Sequence, residues 1–317
     1  VTPMHESDLS RHLGRQTTMA IGHLPLTRFD ASSSPLTDEV AAMAESCQAV
    51  VFDGLDTTHL TQAGECLQQM AEAQASPLFV VGGSGVEYGL TQYWLQRDAQ
   101  SASAAGPATQ AMDRYSNFDA VDQVLVVSGS ASRLCDSQIQ AAVVAGFWEV
   151  AVDVEALSLA PQAAAAVEGL VREVLEALIK GASVVMHTAR GPDDKRINAL
   201  VQALQAQGHD ADAARHHSGR LVSDRLGEVV DAVVRAHPLR RLVLSGGDTS
   251  SRITQVLAPD ALEIHAQLAP GAPLCRLLSG APHLQGLELA LKGGQMGSVD
   301  YFVKALKGSK MPVRSAH

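Results

Sequence analysis

Hydrophobic and polar positions along the chain repeat one unit. A short apolar run rich in β-branched residues leads into a turn containing Gly, Ser or Asp. A longer stretch with apolar residues at helical spacing then follows. There are about seven such units, and several of the apolar runs lack polar residues, as strands buried on both faces do. The pattern predicts an α/β fold, doubly wound, with a mostly parallel sheet and helices on both faces.

The predicted strands are Ala49–Phe52, Leu78–Val81, Gln123–Val127, Val150–Val152, Ser183–His187, Arg241–Leu244, Ala261–Gln267 and Pro273–Leu277. The predicted helices are Ser7–Gln16, Thr61–Ala73, Val86–Gln96, Cys135–Ala145, Gln162–Lys180, Asp193–Ala206, Gly219–Ala236, Ser250–Leu257 and Val299–Leu306.

One stretch of small residues, at positions 100–112, interrupts the repeating pattern. Its sequence, QSASAAGPATQAM, is typical of an exposed loop or linker. We therefore predict a linking region with a first α/β lobe over residues 1–105, and a second α/β lobe over residues 106–317. The two lobes could also share one continuous sheet, because a long surface loop within a doubly wound fold is uncommon but allowed.

Charge and composition narrow the classes of partner. The chain has 24 Lys and Arg against 34 Asp and Glu, a net charge of −10, and it has no basic run. This disfavours nucleic acid as a partner. The longest apolar stretches are well short of the ~20 residues that a membrane span needs. We expect a soluble protein that acts on a small molecule and that could form a homo-oligomer.

The cysteines and histidines show no metal-binding spacing. The four cysteines are widely scattered without a CxxC pair, which argues against a disulfide framework or a zinc site and favours the reduced cytoplasm. His216 and His217 are adjacent, whereas two ligands on one helical face need a spacing of four. We predict no metal-ligating residues.

The segment Leu242–Ser251 is the best candidate for binding a phosphate. A buried strand leads into Gly246 and Gly247, and Asp248 and Thr249 then open a helix. Glycines let the backbone approach an anion, and the free N–H groups and dipole of the helix favour negative charge. The alternative is a plain strand-to-helix turn with an N-cap, since the segment lacks the lysine of a Walker A sequence.

A turn of the same kind follows an earlier strand, at Ser128–Ser132, where Gly129, Ser130 and Ser132 precede a helix. Turns at the carboxyl ends of strands in one sheet face the same crevice, where open α/β sheets bind ligands. Packing of the helix against the sheet would also explain the small residues.

A third glycine segment, Leu287–Ser298, contains Lys292, Gly293 and Gly294. Lys292 is a candidate point charge for a phosphate, and the glycines permit close backbone approach. The alternative is that Lys292 is a solvated turn residue.

Two other turns are weaker candidates. Gly83, Gly85 and Gly89 imitate a dinucleotide fingerprint, but no acidic residue follows about 20 positions later, so an NAD(P) oxidoreductase is a minor alternative. Asp53 and Asp56 follow the strand Ala49–Phe52, and turn chemistry explains them as well as catalysis does.

Taken together, the motifs show that the chain resembles the four-carbon acid sugar kinases, a family formerly labelled a domain of unknown function. The matching segments run in the family's order over nearly the whole chain. They are Val1-Thr-Pro-Met4, Ser7-Asp-Leu9, Arg11-His-Leu13, Ser128-Gly-Ser130-Ala-Ser132 with Gln138-Ile139, Ser245-Gly-Gly-Asp-Thr-Ser250, Pro270-Gly-Ala-Pro273 and Leu291-Lys-Gly-Gly-Gln-Met-Gly297.

The resemblance implies ATP- and Mg²⁺-dependent phosphorylation of the terminal hydroxyl of a four-carbon sugar acid, such as threonate, erythronate or their 3-oxo form. In the family the carboxyl-terminal domain binds the nucleotide. The residues that carry this role over to the present chain are Gly129, Ser130, Ser132, Gly246, Gly247, Asp248, Thr249, Lys292, Gly293 and Gly294.

The sequence departs from the family pattern in two ways. The family's amino-terminal domain, with its Asp-Asp-Phe-Thr-Gly motif, supplies most of the acceptor site and the catalytic Asp, and we expect this domain to be absent here. The catalytic residues are therefore unknown, and a truncated, non-catalytic nucleotide-binding module is the alternative function. The last motif also has Gln295-Met296 where the family commonly has Asn-Phe, a change that keeps apolar bulk.

Overall fold

A computed structural model describes residues 6–30, 35–101, 117–159 and 162–309. The chain forms two compact units, residues 1–106 and residues 107–317.

The first unit contains a two-stranded parallel sheet of β1 (Ile21–Leu24) and β2 (Ala49–Phe52). Its helices are α1 (Leu9–Gly14), α2 (Leu26–Phe29), α3 (Leu36–Ala44), α4 (Thr57–Ala73) and α5 (Ser84–Ser101). Leu24, Phe29, Val40 and Cys66 form the buried core. Strand β1 is not among the predicted strands, because its sequence IGHL is short and holds a glycine and a polar residue.

The prediction of a strand at Leu78–Val81 is wrong. These residues adopt neither a strand nor a helix, and the side chains of Phe79 and Val81 are 93% and 100% exposed. Strand propensity takes effect only where a segment finds a pairing edge and a surface to pack on, and this segment pairs with neither described strand of the unit. The fingerprint-like glycines therefore do not follow a strand, which removes the structural context that dinucleotide binding requires.

Helices α4 and α5 approach closely at Gly64 and Gly89. A Cβ atom on Gly64 would overlap the backbone carbonyl of Gly89 and lie 2.7 Å from the backbone nitrogen of Leu90. Backbone atoms cannot rotate out of the way as the end of a side chain can. The two glycines therefore set the distance between these helices.

Replacing Gly64 with alanine is expected to lower the free energy of unfolding of the first unit by about 1–3 kcal/mol through overpacking. Trp94, whose Nε1 donates to Gln68 Oε1 at 2.9 Å across the two helices, reports this by fluorescence in a Trp148→Phe background. Gly85→Ala is the control, since its Cβ would lie in ordinary contact, 3.6 Å from Leu60 Cδ2. Equal stabilities of the two variants would contradict the prediction.

The second unit is built on a seven-stranded sheet with the strand order β4-β5-β3-β6-β9-β8-β7. Strands β4, β5, β3, β6 and β9 are parallel, and β8 and β7 add an antiparallel hairpin at one edge. Their bounds are β3 (Val124–Ser128), β4 (Trp148–Ala151), β5 (Val184–His187), β6 (Arg241–Ser245), β7 (Ala261–Ala269), β8 (Ala272–Leu278) and β9 (Glu288–Lys292).

The helices of this unit are α6 (Arg133–Val144), α7 (Val154–Ser158), α8 (Ala163–Ile179), α9 (Arg196–Ala206), α10 (Ala211–Ala236), α11 (Gly247–Leu257) and α12 (Tyr301–Lys307). Alternate residues of the central strands enter different hydrophobic clusters. Leu125 and Leu242 pack in one cluster, whereas Val126 and Val243 pack in the other. Both faces of the sheet are thus covered, and the predicted α/β class with a mostly parallel sheet is confirmed.

Arg241 begins β6 at the end of the sheet opposite the glycine turns, and its side chain is fully buried. Its Nε donates to Glu288 Oε2 at 2.8 Å, and its Nη2 donates to the carbonyl oxygen of Asp119 at 2.9 Å. A third contact joins Nη1 to the carbonyl of Ala305, and Cζ lies 5.2 Å from the ring centroid of Phe118. The guanidinium therefore ties β6 to β9 and to two flanking segments.

Strand β9 was not predicted, because charged residues stand at both of its ends, although its centre is apolar. Helix α10 begins eight residues before its predicted start at Gly219 and includes the histidine pair. Among the described residues, no helix is long and apolar enough to cross a membrane.

Candidate functional site

Three neighbouring strands end side by side at the carboxyl edge of the sheet. Ser128 of β3 is in register with Ser245 of β6, and Ser245 is in register with Lys292 of β9. The ladder continues one residue further, since Gly129 N–H donates to Ser245 O at 2.9 Å and Gly246 N–H donates to Lys292 O at 3.0 Å. The three predicted glycine turns therefore begin at the same level.

The turn after β3 is held by Ser132, the N-cap of α6. The Ser132 hydroxyl accepts from Cys135 N–H at 3.0 Å and donates to the carbonyl oxygen of Gly294 at 2.6 Å. Gly129 sits against Thr249, and a Cβ on Gly129 would overlap Thr249 Oγ1 and lie 2.8 Å from Thr249 Cβ. The first turn is thus packed directly on the other two.

The turn after β6 opens α11 with an uncapped amino terminus. Gly246 has φ +113°, which favours glycine, and no side chain caps the helix. Gly247 and Asp248 are exposed, and Thr249 is buried with its Oγ1 3.3 Å from Ser223 Oγ. Asp248 is therefore not the N-cap, and the first N–H groups of α11 are available to an anion.

The turn after β9 brings Gly294 against Ser130, since a Cβ on Gly294 would overlap Ser130 Oγ. Gln138 of α6 fixes the following residues, because its Nε2 donates to the carbonyl oxygens of Met296 at 3.0 Å and Ser298 at 2.9 Å. Gly293, Gly294 and the two earlier turns thus form one cluster of small residues, which we call the cradle: Gly129–Ser132, Gly246–Thr249 and Gly293–Gly294.

Lys292 lies beneath the cradle instead of facing solvent. It is only 3% exposed, with its Nζ 2.9 Å from Ser245 Oγ and 3.2 Å from Cys135 Sγ. The rings of Tyr301 and Phe302 lie 5.8 and 5.6 Å from Nζ. The structure thus brings Lys292 close to the three turns but directs its ammonium group at a buried thiol. Lys292 is therefore neither a solvated turn residue nor an open contact for a phosphate.

Burial acts to raise the pKa of the Cys135 thiol, but the charge of Lys292 and hydrogen bonds from three serines outweigh it, so the pKa lies below its usual value. Burial lowers the pKa of Lys292, and Cys135 opposes that effect. Cys135, which the sequence did not single out, is thus the thiol of the second unit whose pKa is lowered, whereas burial raises the pKa of Cys275. The position of Cys135 one helical turn after the Ser132 cap is the only sequence signal that pointed to it.

A separate polar network lies beside the cradle at the ends of β4 and β5. His187 Nε2 lies 2.9 Å from Glu149 Oε1, and Arg190 donates from Nε to Asp136 at 2.6 Å and also binds Glu149. Burial lowers the pKa of His187, which favours its neutral form. Thr188 N–H donates to Ser128 O at 3.0 Å and so joins this network to the first turn.

In the first unit, the carboxylates at the end of β2 are engaged in local contacts. Asp53 accepts from Leu26 N–H at 3.2 Å and lies 3.0 Å from His23 Nε2. Asp56 caps α4 by accepting from Thr58 N–H at 2.8 Å. Turn and cap formation thus account for Asp56, whereas the pair of Asp53 and His23 remains about 40% exposed and open to a ligand.

Comparison with known proteins shows which family the chain belongs to. A family model described as "Nucleotide-binding C-terminal domain" matches residues 125–302, more than half of the chain, and one described as "Sugar-binding N-terminal domain" matches residues 1–90. Curated relatives include a 3-oxo-isoapionate kinase of Paraburkholderia graminis, 34% identical over 97% of this chain and 62% of that protein. A 3-oxo-tetronate kinase of Burkholderia multivorans is 30% identical over 97% of this chain and 63% of that protein.

The chain belongs to the four-carbon acid sugar kinase family. It spans less than two thirds of the length of these kinase relatives. A solved structure described as a putative tRNA synthase from Salmonella typhimurium LT2 shares the fold of this kinase family member, with a TM-score of 0.63 and 23% identity over 96% of this chain and 64% of that chain.

The sugar-binding model aligns with residues 1–90. The expectation that the family's acceptor domain is absent from this chain stays a prediction. The division into regions 1–105 and 106–317 and the assignment of site residues stay predictions.

Proposed function

We propose that this chain is the nucleotide-binding portion of an ATP-dependent kinase that phosphorylates the terminal hydroxyl of a four-carbon sugar acid, with 3-oxo-tetronate, threonate and erythronate as the candidate acceptors. The observation that carries the proposal is the cradle, in which three glycine turns meet at the carboxyl edge of one parallel sheet. Open α/β sheets bind ligands at this edge. The names of the curated relatives support the choice of a sugar-acid acceptor.

The proposed role of the cradle is to bind the phosphates of ATP through backbone N–H groups and hydroxyls. Gly247 has no atom within 4 Å of the position of a Cβ, so there is room for a ligand over the first turn of α11. Ser130, which is half-buried beside Gly246, contributes a hydroxyl group at the edge of the same space, whereas the Thr249 hydroxyl packs against Gly129 and lies near Ser223. Donors that are fixed before the ligand arrives stabilise the charge that develops in phosphoryl transfer without having to reorganise.

Asp248 is the residue we propose to hold Mg²⁺. Its carboxylate is exposed in the first turn of α11, and Mg²⁺ is usually bound by one or two carboxylates together with substrate phosphates. The described residues contain no group of three or more His, Cys, Asp or Glu side chains arranged for a metal, so phosphate oxygens of the nucleotide and water would complete the coordination. When bound, Mg²⁺ would neutralise the phosphate charge next to a cradle whose one lysine is engaged below it.

The first unit is proposed to contribute to the acceptor side, on the basis of the sugar-binding model that matches residues 1–90. The pair of His23 and Asp53 at the ends of β1 and β2 offers a hydrogen-bond donor and an acceptor of the type that hydroxy acids require. A chain that binds nucleotide but transfers no phosphate would correspond to the alternative, a non-catalytic nucleotide-binding module.

Gly247→Val is expected to weaken ATP binding about tenfold or more with the fold retained. The added Cβ would have no atom of another segment within 4 Å, so the main effect of the substitution should fall on the ligand. Calorimetric titration of the full 317-residue chain with a non-hydrolysable ATP analogue, with and without Mg²⁺, measures the affinity, and circular dichroism checks the fold.

Gly83→Val is the matched control, because a Cβ added at Gly83 would also have no atom of another segment within 4 Å, and Gly83 belongs to the fingerprint-like turn of the first unit. Its affinity for ATP should equal that of the unaltered chain. Loss of affinity in this control, or unchanged affinity in Gly247→Val, would place the nucleotide elsewhere. An assay for ADP release with each candidate acid then separates an active kinase from a binding module.

A further inference from the structure

A buried cluster beneath the cradle joins all three of its turns through side chains. Cys135 Sγ lies 3.2 Å from Ser245 Oγ at the end of β6 and donates to the carbonyl oxygen of Gly294, after β9, at 3.2 Å. Lys292 Nζ completes the cluster through Cys135 and Ser245. Cys135 itself follows the turn after β3, so the cluster touches every turn.

We propose that Cys135 and Lys292 act together as positioning residues that hold the three turns of the cradle at the spacing the nucleotide phosphates require. This inference rests on the proposed function, and it assigns Lys292 a role below the turns instead of a direct contact with a phosphate. Neither side chain touches the ligand space: Cys135 is fully buried and Lys292 is 3% exposed.

Because Lys292 is buried, the relative positions of Lys292 and Cys135 are tightly constrained. A buried ammonium group that loses its partner carries a large desolvation penalty, so Lys292 stays where Cys135 and Ser245 can meet it. The fully buried rings of Tyr301 and Phe302 lie 5.8 and 5.6 Å from Lys292 Nζ and give the cluster an apolar wall. The thiol is thereby fixed against Gly294, and the Ser132 hydroxyl binds the same carbonyl oxygen at 2.6 Å.

The carbonyl oxygen of Gly294 receives two contacts from the start of α6. These contacts explain why the turn after β9 lies against the turn after β3. A single contact would leave the glycine turn free to rotate about it, whereas Ser132 and Cys135 reach the same oxygen from different positions along α6. The turn after β6 is joined to this arrangement by Ser245. The phosphate donors on all three turns are thus placed by one cluster.

The test compares Cys135→Ala, Lys292→Met and the double variant Cys135→Ala/Lys292→Met in the full chain. Each single variant is expected to lower the melting temperature, because it removes the contact between Lys292 Nζ and Cys135 Sγ inside a buried cluster. The double variant should recover most of that loss, since apolar replacement of a buried pair is often neutral. Its affinity for the ATP analogue should nevertheless stay weaker by about tenfold or more, because the ties to Gly294 and Ser245 are gone.

If the pair contributed to stability alone, the melting temperature and the nucleotide affinity would recover together in the double variant. A double variant that regains both its melting temperature and the unaltered affinity would overturn the proposal. Cys135→Ser provides the conservative rescue, because a serine hydroxyl can still donate to Gly294 and meet Lys292, and it should bind the analogue more tightly than Cys135→Ala. Equal affinities of these two variants would also count against the proposal.

Cys275→Ala is the matched control. Cys275 is a buried thiol on β8 of the same sheet, 4% exposed, and burial raises its pKa with no cation to oppose it. Its loss should lower stability without changing nucleotide affinity. A comparable loss of affinity in this control would show that removal of any core thiol disturbs the cradle.

Amide hydrogen exchange in the absence of nucleotide separates this inference from the proposed function. The double variant should exchange faster than the unaltered chain at Gly129–Ser132, Gly246–Thr249 and Gly293–Gly294, and the control should not. Faster exchange in a chain that binds no nucleotide would leave the positioning role standing and remove the proposed function. Unchanged exchange in a chain that does bind nucleotide would remove the positioning role alone.

Discussion

Replacing Arg241 with methionine is expected to lower the free energy of unfolding of the second unit by about 3–5 kcal/mol. The change removes the partner that Glu288, itself 3% exposed, has on the neighbouring strand. Its carboxylate keeps only the more distant Arg240 Nη2 at 3.7 Å and His265 Nε2 at 3.8 Å. The change also removes the donor to the Asp119 carbonyl oxygen. Urea unfolding followed by the fluorescence of Trp148, in a Trp94→Phe background, reports the second unit separately.

Arg235→Met is the control for this prediction. Its Nε lies 2.7 Å from Asp231, but the side chain is 58% exposed, and exposed ion pairs contribute about 1 kcal/mol or less. The double variant Arg241→Met/Glu288→Leu should be more stable than Arg241→Met, because it removes the buried carboxylate that has lost its nearest partner. Similar losses for Arg241→Met and the exposed control would show that the buried carboxylate finds another partner.

Replacing Gly129 with alanine is expected to weaken nucleotide binding about 100-fold and to destabilise the second unit by about 1–3 kcal/mol. The new methyl group would overlap Thr249, and that side chain cannot turn aside freely because it is buried and lies 3.3 Å from Ser223 Oγ. The start of α11 must therefore move away from the turn after β3. Titration calorimetry and thermal unfolding measure the two effects.

Gly169→Ala serves as the control for Gly129→Ala. Gly169 lies within α8 with open space at its Cβ position, so alanine should raise stability slightly through its helix propensity. Nucleotide affinity should not change. An unaltered affinity in Gly129→Ala itself would mean that the turn after β3 lies outside the nucleotide site.

The hydrophobic pattern predicts the central strands well because they are buried on both faces. All five residues of β3 and of β6 are buried, so nearly every side chain there is apolar or small, and the strands stand out along the chain. The segment Leu78–Val81 shows where prediction from the hydrophobic pattern fails. Its composition is as strand-like as that of β3, but the segment pairs with neither β1 nor β2 and so forms no strand.

The candidate turns could be found from the sequence because each one follows a strand, and a parallel sheet brings such ends together. What the sequence could not show is which way a side chain at a turn would point. Lys292 and Cys135 are separated by 157 positions, and nothing near either residue reveals their contact. The close packing of Gly129 on Thr249 is likewise a property of the folded sheet.

The position of β9 has a consequence for biosynthesis. This strand is the last of the seven described in the second unit to leave the ribosome, yet it belongs between β6 and β8, which emerge before it. Until Glu288–Lys292 is available, β6 and β8 each present a bare edge, and one third of the cradle does not exist. Ligand binding at the cradle must therefore wait until Glu288–Lys292 has been synthesised, and a polypeptide terminated before this strand would remain exposed to proteases and chaperones.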